Sequence, residues 1–153
     1  MDTRSFPLTS VHRKVQQMFR NQDERFAPWT HLGVHVIAEF IDCRHMPQDI
    51  PTMRRQMEQA AERIGCTIVQ SVFHAFNPWG LSGVVVVAES HLAIHTWPEH
   101  NFACVDLFTC SEELHPRPGF EFLKEAFGAQ ELDYIELPRG AGLSFAVPAE
   151  ATA

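Results

Sequence analysis

Residues 81–110 read LSGVVVVAESHLAIHTWPEHNFACVDLFTC, and this stretch decides the fold. Val84, Val85, Val86 and Val87 run without a polar interruption, which suits a strand buried on both faces better than one washed by solvent. That strand feeds straight into Glu89-Ser90-His91. Residues 91–97 and 102–110 read as two more strands, divided by Pro98, Glu99, His100 and Asn101. Connections this short hold no crossover, so the three strands run antiparallel. Residues 88–110 also gather one serine, three histidines, three acids and two cysteines, a density that points to a reactive centre built on a sheet.

Upstream, residues 30–40 (THLGVHVIAEF) set Leu32, Val34, Val36, Ala38 and Phe40 on one parity, a strand with one well-buried face. His31, His35, Ile37 and Glu39 share the other parity. A helix is predicted over 51–64, where Met53, Met57, Ala60, Ala61 and Ile64 recur at helical spacing. Asp49 stands near its start, and Gly65 is placed to end it in a left-handed turn. Period two returns over 67–76, followed by the turn Asn77-Pro78-Trp79-Gly80 and the valine strand, 81–88. A second helix over 119–127 puts Phe120, Leu123 and Phe127 on one face and stops at Gly128, and a last strand covers 131–137.

The order β-α-β-β-β-β-α-β predicts an α+β fold, a two-layer sandwich whose mostly antiparallel sheet carries its helices on one face. Strands this apolar are ill suited to present the other face to water. A second copy is therefore expected to cover it, giving a homodimer in an α/β/β/α arrangement. Residues 1–28, with mixed charge and a short amphipathic piece at 11–19, read as a loosely ordered N-terminal segment before a single domain, 29–153.

Composition narrows the function. At 153 residues the chain can bury one real core but not two catalytic domains. Its 12 basic and 19 acidic residues, a formal net charge of -7, argue against a nucleic-acid partner, whose phosphates call for clustered Lys and Arg. No apolar run reaches the roughly 18 to 20 residues that span a bilayer, and MDTRSFPLTS lacks the apolar centre of a signal peptide. No membrane partner is expected, and the cytoplasm is the expected location. Cys43, Cys66, Cys104 and Cys110 stand without a CxxC pair, so they read as free thiols, the first three as packing residues.

A tight hairpin turning at Glu89-Ser90 would set Ala88 opposite His91, Val86 opposite Ala93, Val84 opposite His95 and Ser82 opposite Trp97. Ser82, His95 and Trp97 then project from one face. Strict alternation puts Ser90 on the other parity from His95, so the scheme requires a bend at Glu89-Ser90. Cys110, ending the next strand, approaches the same pocket if that strand is a neighbour.

AESHLAIHTWPEH followed by DLFTC, together with SVFHAF and SGVVVVAESH, closely resembles the prokaryotic S-adenosylmethionine decarboxylase proenzymes, and the likeness runs from about Leu32 to Arg139. The resemblance implies a chain that cuts itself between Glu89 and Ser90 into a β chain, 1–89, and an α chain, 90–153, turning Ser90 into a pyruvoyl cofactor. It implies His95 as the base that removes the Cα proton of residue 90 and Ser82 as the hydrogen-bond partner of the cyclic intermediate. The pyruvoyl ketone would take the substrate amine as a Schiff base and serve as electron sink. Cys110 would return a proton to the decarboxylated carbon. Phe76 and Trp97 would sandwich the nucleoside and Glu99 would hold its ribose diol. The implied activity is decarboxylation of S-adenosylmethionine for spermidine biosynthesis, with no metal.

Two departures bear on the substrate. Where many members carry Tyr-Gly-Tyr after Pro-Glu, this chain has His100-Asn101-Phe102, and its segment before Thr30 is longer than the pattern requires. A pyruvoyl-dependent decarboxylase of another amino acid, such as ornithine or arginine, is the nearest alternative. A zinc site from His91, His95, Cys110 and Glu99 is a different chemistry, with His31 and His35 repeating the four-residue spacing. A third class is a non-catalytic subunit partnering an active relative.

Overall fold

The computed structural model describes residues 31–140, so the expectation of a loose segment at 1–28 lies outside the described residues. Alternating apolar residues build six strands: β1 (Gly33–Ile41), β2 (Ile68–Ala75), β3 (Leu81–Val87), β4 (Ser90–Trp97), β5 (Phe102–Thr109) and β6 (Glu131–Arg139). Two stretches of helical period form α1 (Ile50–Ile64) and α2 (Pro116–Phe127). The strands lie in the order β2-β3-β4-β5-β1-β6, and every neighbouring pair is antiparallel. The element order and the α+β class agree with the sequence.

Local chemistry sets the helix ends. The Asp49 carboxylate accepts the Thr52 N–H at 2.8 Å, and this bond holds the Asp49 carboxyl below the usual range. Gly65, at φ 99°, closes α1 in a left-handed conformation that costs a residue without Cβ little. The second helix starts three residues earlier than predicted. Pro116 occupies its first turn, where a missing N–H leaves no intrahelical bond unmade, so the two prolines before Gly119 open the helix instead of delaying it.

Both helices lie on one face of the sheet, α1 against β2 and β3, α2 against β6 and β1. Val36, Ala38 and Phe40 of β1 meet Met53, Met57 and Ile64 of α1 and Phe120, Leu123 and Phe127 of α2 in a single core. Phe40 stands edge-on to both Phe120 and Phe127, with ring centroids 6.4 and 5.5 Å away. Leu32, expected on that buried parity, precedes β1 and is exposed.

The valine run is buried on one face only. Leu81, Val85 and Val87 sit under the helices, Val84 is half-buried and Val86 is exposed on the sheet's open face. Gly83 in the same strand is explained by Phe73, whose ring lies where a Cβ would be. The open face carries Val72, Val86 and Trp97, all exposed, between half-buried Ile37, Phe102 and Phe108. Among the described residues no helix is long and apolar enough to cross a membrane.

Candidate active site

The β3–β4 hairpin differs in register from the sequence reading. Val87 pairs with Ser90, so Ala88 and Glu89 form the two-residue turn and Ser90 is the first residue of β4. His95 therefore faces Ser82, Val84 faces Ala93 and Val86 faces His91. The expected partners, Val84 for His95 and Ser82 for Trp97, are two residues out. An even shift keeps every side chain on its face. For that reason Ser82, His95 and Trp97 still project from the open side.

The expected bend lies at Ser90. Its φ of 148° belongs to a region that residues with a Cβ rarely enter, at a cost of roughly 1–3 kcal/mol. The neighbouring turn is clamped. Ala88 N–H donates to the Thr67 carbonyl at 2.8 Å, and the Glu89 carboxylate accepts the Thr67 N–H at 3.0 Å, which holds the Glu89 carboxyl below its ordinary range. The carbonyl oxygen of Glu89 accepts the Cys110 N–H at 3.3 Å. A backbone donor thus sits on the carbonyl of the Glu89-Ser90 bond, where negative charge would gather if Ser90 Oγ attacked it.

Cys110 follows β5, which pairs directly with β4, and Ser90 faces Thr109. β5 is the neighbour that this expectation required, but within the chain Cys110 stands beside Ser90 and not in the pocket of Ser82, His95 and Trp97, and it is exposed. The other three are less exposed. Burial pushes the thiols of Cys43, Cys66 and Cys104 up to about 11 each, so they keep their protons near neutral pH. On the other side of Ser90, its Oγ lies 3.2 Å from His91 Nδ1. Consecutive strand residues ordinarily point to opposite faces, so spacing alone gave no sign of this contact. The positive φ at Ser90 turns its side chain toward its neighbour.

The remaining predicted residues collect at the opposite end of the hairpin. Ser82 Oγ and His95 Nδ1 are 2.6 Å apart, and the His95 ring lies 6.3 Å from Trp97, which in turn lies 5.6 Å from Phe102. Phe76 follows β2 at the same end, exposed and edge-on to His74 at 4.7 Å. Glu99, also exposed, sits in the short 3₁₀ turn Pro98–His100 directly after β4. At ~3.3 Å per residue, the five steps of β4 from Ser90 to His95 span about 17 Å. One chain therefore brings Ser90, Glu89, His91 and Cys110 together at one end, and Ser82, His95, Trp97, Phe76 and Glu99 at the other.

The same rise bears on the zinc alternative. His91 and His95 lie four residues apart on a strand, about 13 Å, whereas one metal needs ligand atoms a few ångströms apart. Among the described residues no group of three or more His, Cys, Asp or Glu side chains is gathered to hold a metal ion.

The family model described as S-adenosylmethionine decarboxylase matches residues 34–140, nearly all of the described sheet and helices. The chain belongs to the S-adenosylmethionine decarboxylase family. Its curated S-adenosylmethionine decarboxylase relatives are named as proenzymes. That of Thermotoga maritima is 49% identical over 110 residues, covering 71% of this chain and 85% of the relative. That of Acidithiobacillus ferrooxidans is 46% identical over 119 residues, covering 77% of this chain and 90% of the relative. The crystal structure of the adenosylmethionine decarboxylase from Aquifex aeolicus superposes with a TM-score of 0.65 at 27% identity, covering 78% of this chain and all of that one.

Proposed function

We propose that this chain is a proenzyme of S-adenosylmethionine decarboxylation that cuts itself at Glu89-Ser90, makes its pyruvoyl group from Ser90, and works as a homodimer. The observation that carries this reading is the strained Ser90 beside a carbonyl already hydrogen-bonded to Cys110 N–H. Attack by Ser90 Oγ on the Glu89 carbonyl moves the acyl group from nitrogen to oxygen and releases the strain. Removal of the Cα proton of residue 90 then expels Glu89 as a carboxylate and leaves dehydroalanine. One water enters and one ammonia leaves to give the ketone. The fragments are 1–89 and 90–153.

The pyruvoyl group, once made, supplies an electrophilic carbonyl that holds the substrate amine and takes up the electrons freed with carbon dioxide. The rest falls to side chains. Cys110, at the Ser90 end, carries the proton for the decarboxylated carbon. Phe76 and Trp97 offer rings to the adenine and the sulfonium, and the carboxylate of Glu99 suits the ribose hydroxyls. The product is the aminopropyl donor for spermidine biosynthesis. All four cysteines are free thiols, which suits the reducing cytoplasm.

The 17 Å gap within one chain gives the homodimer a chemical role. A two-fold axis through the open face is isologous, so hairpins crossing head to tail set the Ser90 end of one against the far end of the other. Ser90 and Cys110 then meet His95 of the partner subunit and the partner's Ser82. Exposed Val72, Val86, Phe76 and Trp97 would be covered in the same step.

Two measurements test this. Intact-mass analysis of active protein should show fragments 1–89 and 90–153, the second lighter by one ammonia than its sequence, with carbon dioxide released from S-adenosylmethionine and not from ornithine or arginine. Active material consisting only of the full-length chain refutes the self-made cofactor, and release from ornithine or arginine alone refutes the substrate. For the composite site, Ser90→Ala and His95→Ala chains are made separately and then together. Neither should cleave alone, whereas co-expression should cut the His95→Ala copy, which keeps its own Ser90 and borrows the partner's His95. No cleavage in the mixture would place both residues in one chain.

A further inference from the structure

Self-cleavage needs two proton transfers that one base at the far end of a hairpin does not explain. The first takes the proton of Ser90 Oγ as it attacks, and the second takes the Cα proton after the ester has formed. His95 is suited to the second when a partner supplies it. For the first, the only imidazole of the same chain in contact with Ser90 Oγ among the described residues is that of His91, at 3.2 Å.

We infer that His91 is the general base of the first step of self-cleavage. The inference rests on the reading of Glu89-Ser90 as the bond that is cut. With Nδ1 unprotonated and the proton on Nε2, the imidazole accepts the Ser90 hydroxyl and can take its proton. The Oγ–C bond to Glu89 forms, negative charge falls on the Glu89 oxygen that already accepts Cys110 N–H, and the C–N bond breaks. The proton on His91 passes to the departing nitrogen of residue 90. Nothing enters or leaves: the hydroxyl oxygen becomes the ester oxygen and the amide nitrogen becomes a free amine. The backbone makes this possible, because a Ser90 of ordinary strand φ would turn its hydroxyl away from the face that carries His91.

The His91 ring is held for this task. It lies 6.3 Å from Phe108 of β5, tilted against it, and Phe108 in turn abuts His35 of β1 edge-on at 6.0 Å. Phe108, itself backed by His35, limits the rotation of the His91 ring without occupying Nδ1. After cleavage the same residue carries the peptide nitrogen to which the pyruvoyl group is attached, so it stays beside the cofactor it helped to make.

The test uses freshly synthesised full chains of the parent, His91→Ala and His91→Asn, each checked for folding by circular dichroism and size exclusion. Asparagine can accept the hydroxyl but cannot take its proton, and it covers the case in which alanine disturbs the fold. Both variants should cut at least about 10²-fold more slowly than the parent, the least that a positioned base ordinarily supplies. Their uncut chains should resist hydroxylamine, which splits esters and spares amides, because the block precedes ester formation. Cleavage of either folded variant within threefold of the parent rate overturns the inference, as does hydroxylamine cleavage of the accumulated chain, which would put the block after the ester. A parent that never cuts itself would instead sink the underlying reading of Glu89-Ser90.

Discussion

Ser90→Ala is expected to leave a single chain of 153 residues with no decarboxylase activity. The backbone strain at position 90 and the hydrogen bond from Cys110 N–H to the Glu89 carbonyl do not depend on the hydroxyl, so the variant keeps everything except the attacking atom. If strain alone exposed the bond to water, the variant would still be cut. If the hydroxyl is the nucleophile, the amide persists, since alanine carries no oxygen at position 90 to attack it. Without cleavage there is no ketone to hold the substrate amine. Activity should then fall by on the order of 10⁶-fold or more, the least acceleration enzymes ordinarily provide over solution. Denaturing gels and intact mass over several days follow the first outcome, and carbon dioxide release follows the second. Two fragments, or activity in the uncut chain, would overturn the assignment of Ser90.

Much of this was legible in the sequence, for physical reasons that also mark where reading stopped. Val36, Ala38 and Phe40 on one parity, and Met53, Met57 and Ile64 at helical spacing, announced β1 and α1 because each must bury one side against the same core. The hairpin register was missed by two. Ala88-Glu89-Ser90 contains no Gly or Asn to mark a two-residue turn, so the turn could be placed one residue late without breaking any rule of composition. The error was harmless to the faces and harmful to the partners, which is how Ser82 came to be set against Trp97 when it pairs with His95. The separation of Ser90 from His95 was written in the chain. Five strand residues are about 17 Å, and the proposal that a partner supplies His95 to Ser90 starts from that length. The contact of Ser90 with His91 was not written there, because it depends on one backbone angle that breaks the alternation of the strand.

Cys110→Ala separates the two jobs that meet at the end of β5. The backbone N–H of residue 110 holds the Glu89 carbonyl, and the thiol proposed as the proton donor is exposed. Alanine keeps the first and loses the second. Cleavage should therefore proceed within a few-fold of the parent rate, giving fragments 1–89 and 90–153, while turnover of S-adenosylmethionine falls by about 10²- to 10⁴-fold, the range for loss of a general acid. Cys104 cannot take over the proton. It faces His95 across β4 and β5, five strand positions from the Thr109 that pairs with Ser90, and burial pushes its thiol up to about 11. With the proper acid gone, protonation of the carbon of residue 90 instead of the substrate carbon would, with one water consumed and the substrate released as an aldehyde, leave residue 90 as alanine carrying the substrate's nitrogen. Progress curves should bend with time, and the mass of fragment 90–153 should rise from that of a pyruvoyl chain to that of one beginning with alanine. An uncut variant would show that the thiol itself serves cleavage, and normal turnover with linear progress would remove Cys110 from the reaction altogether.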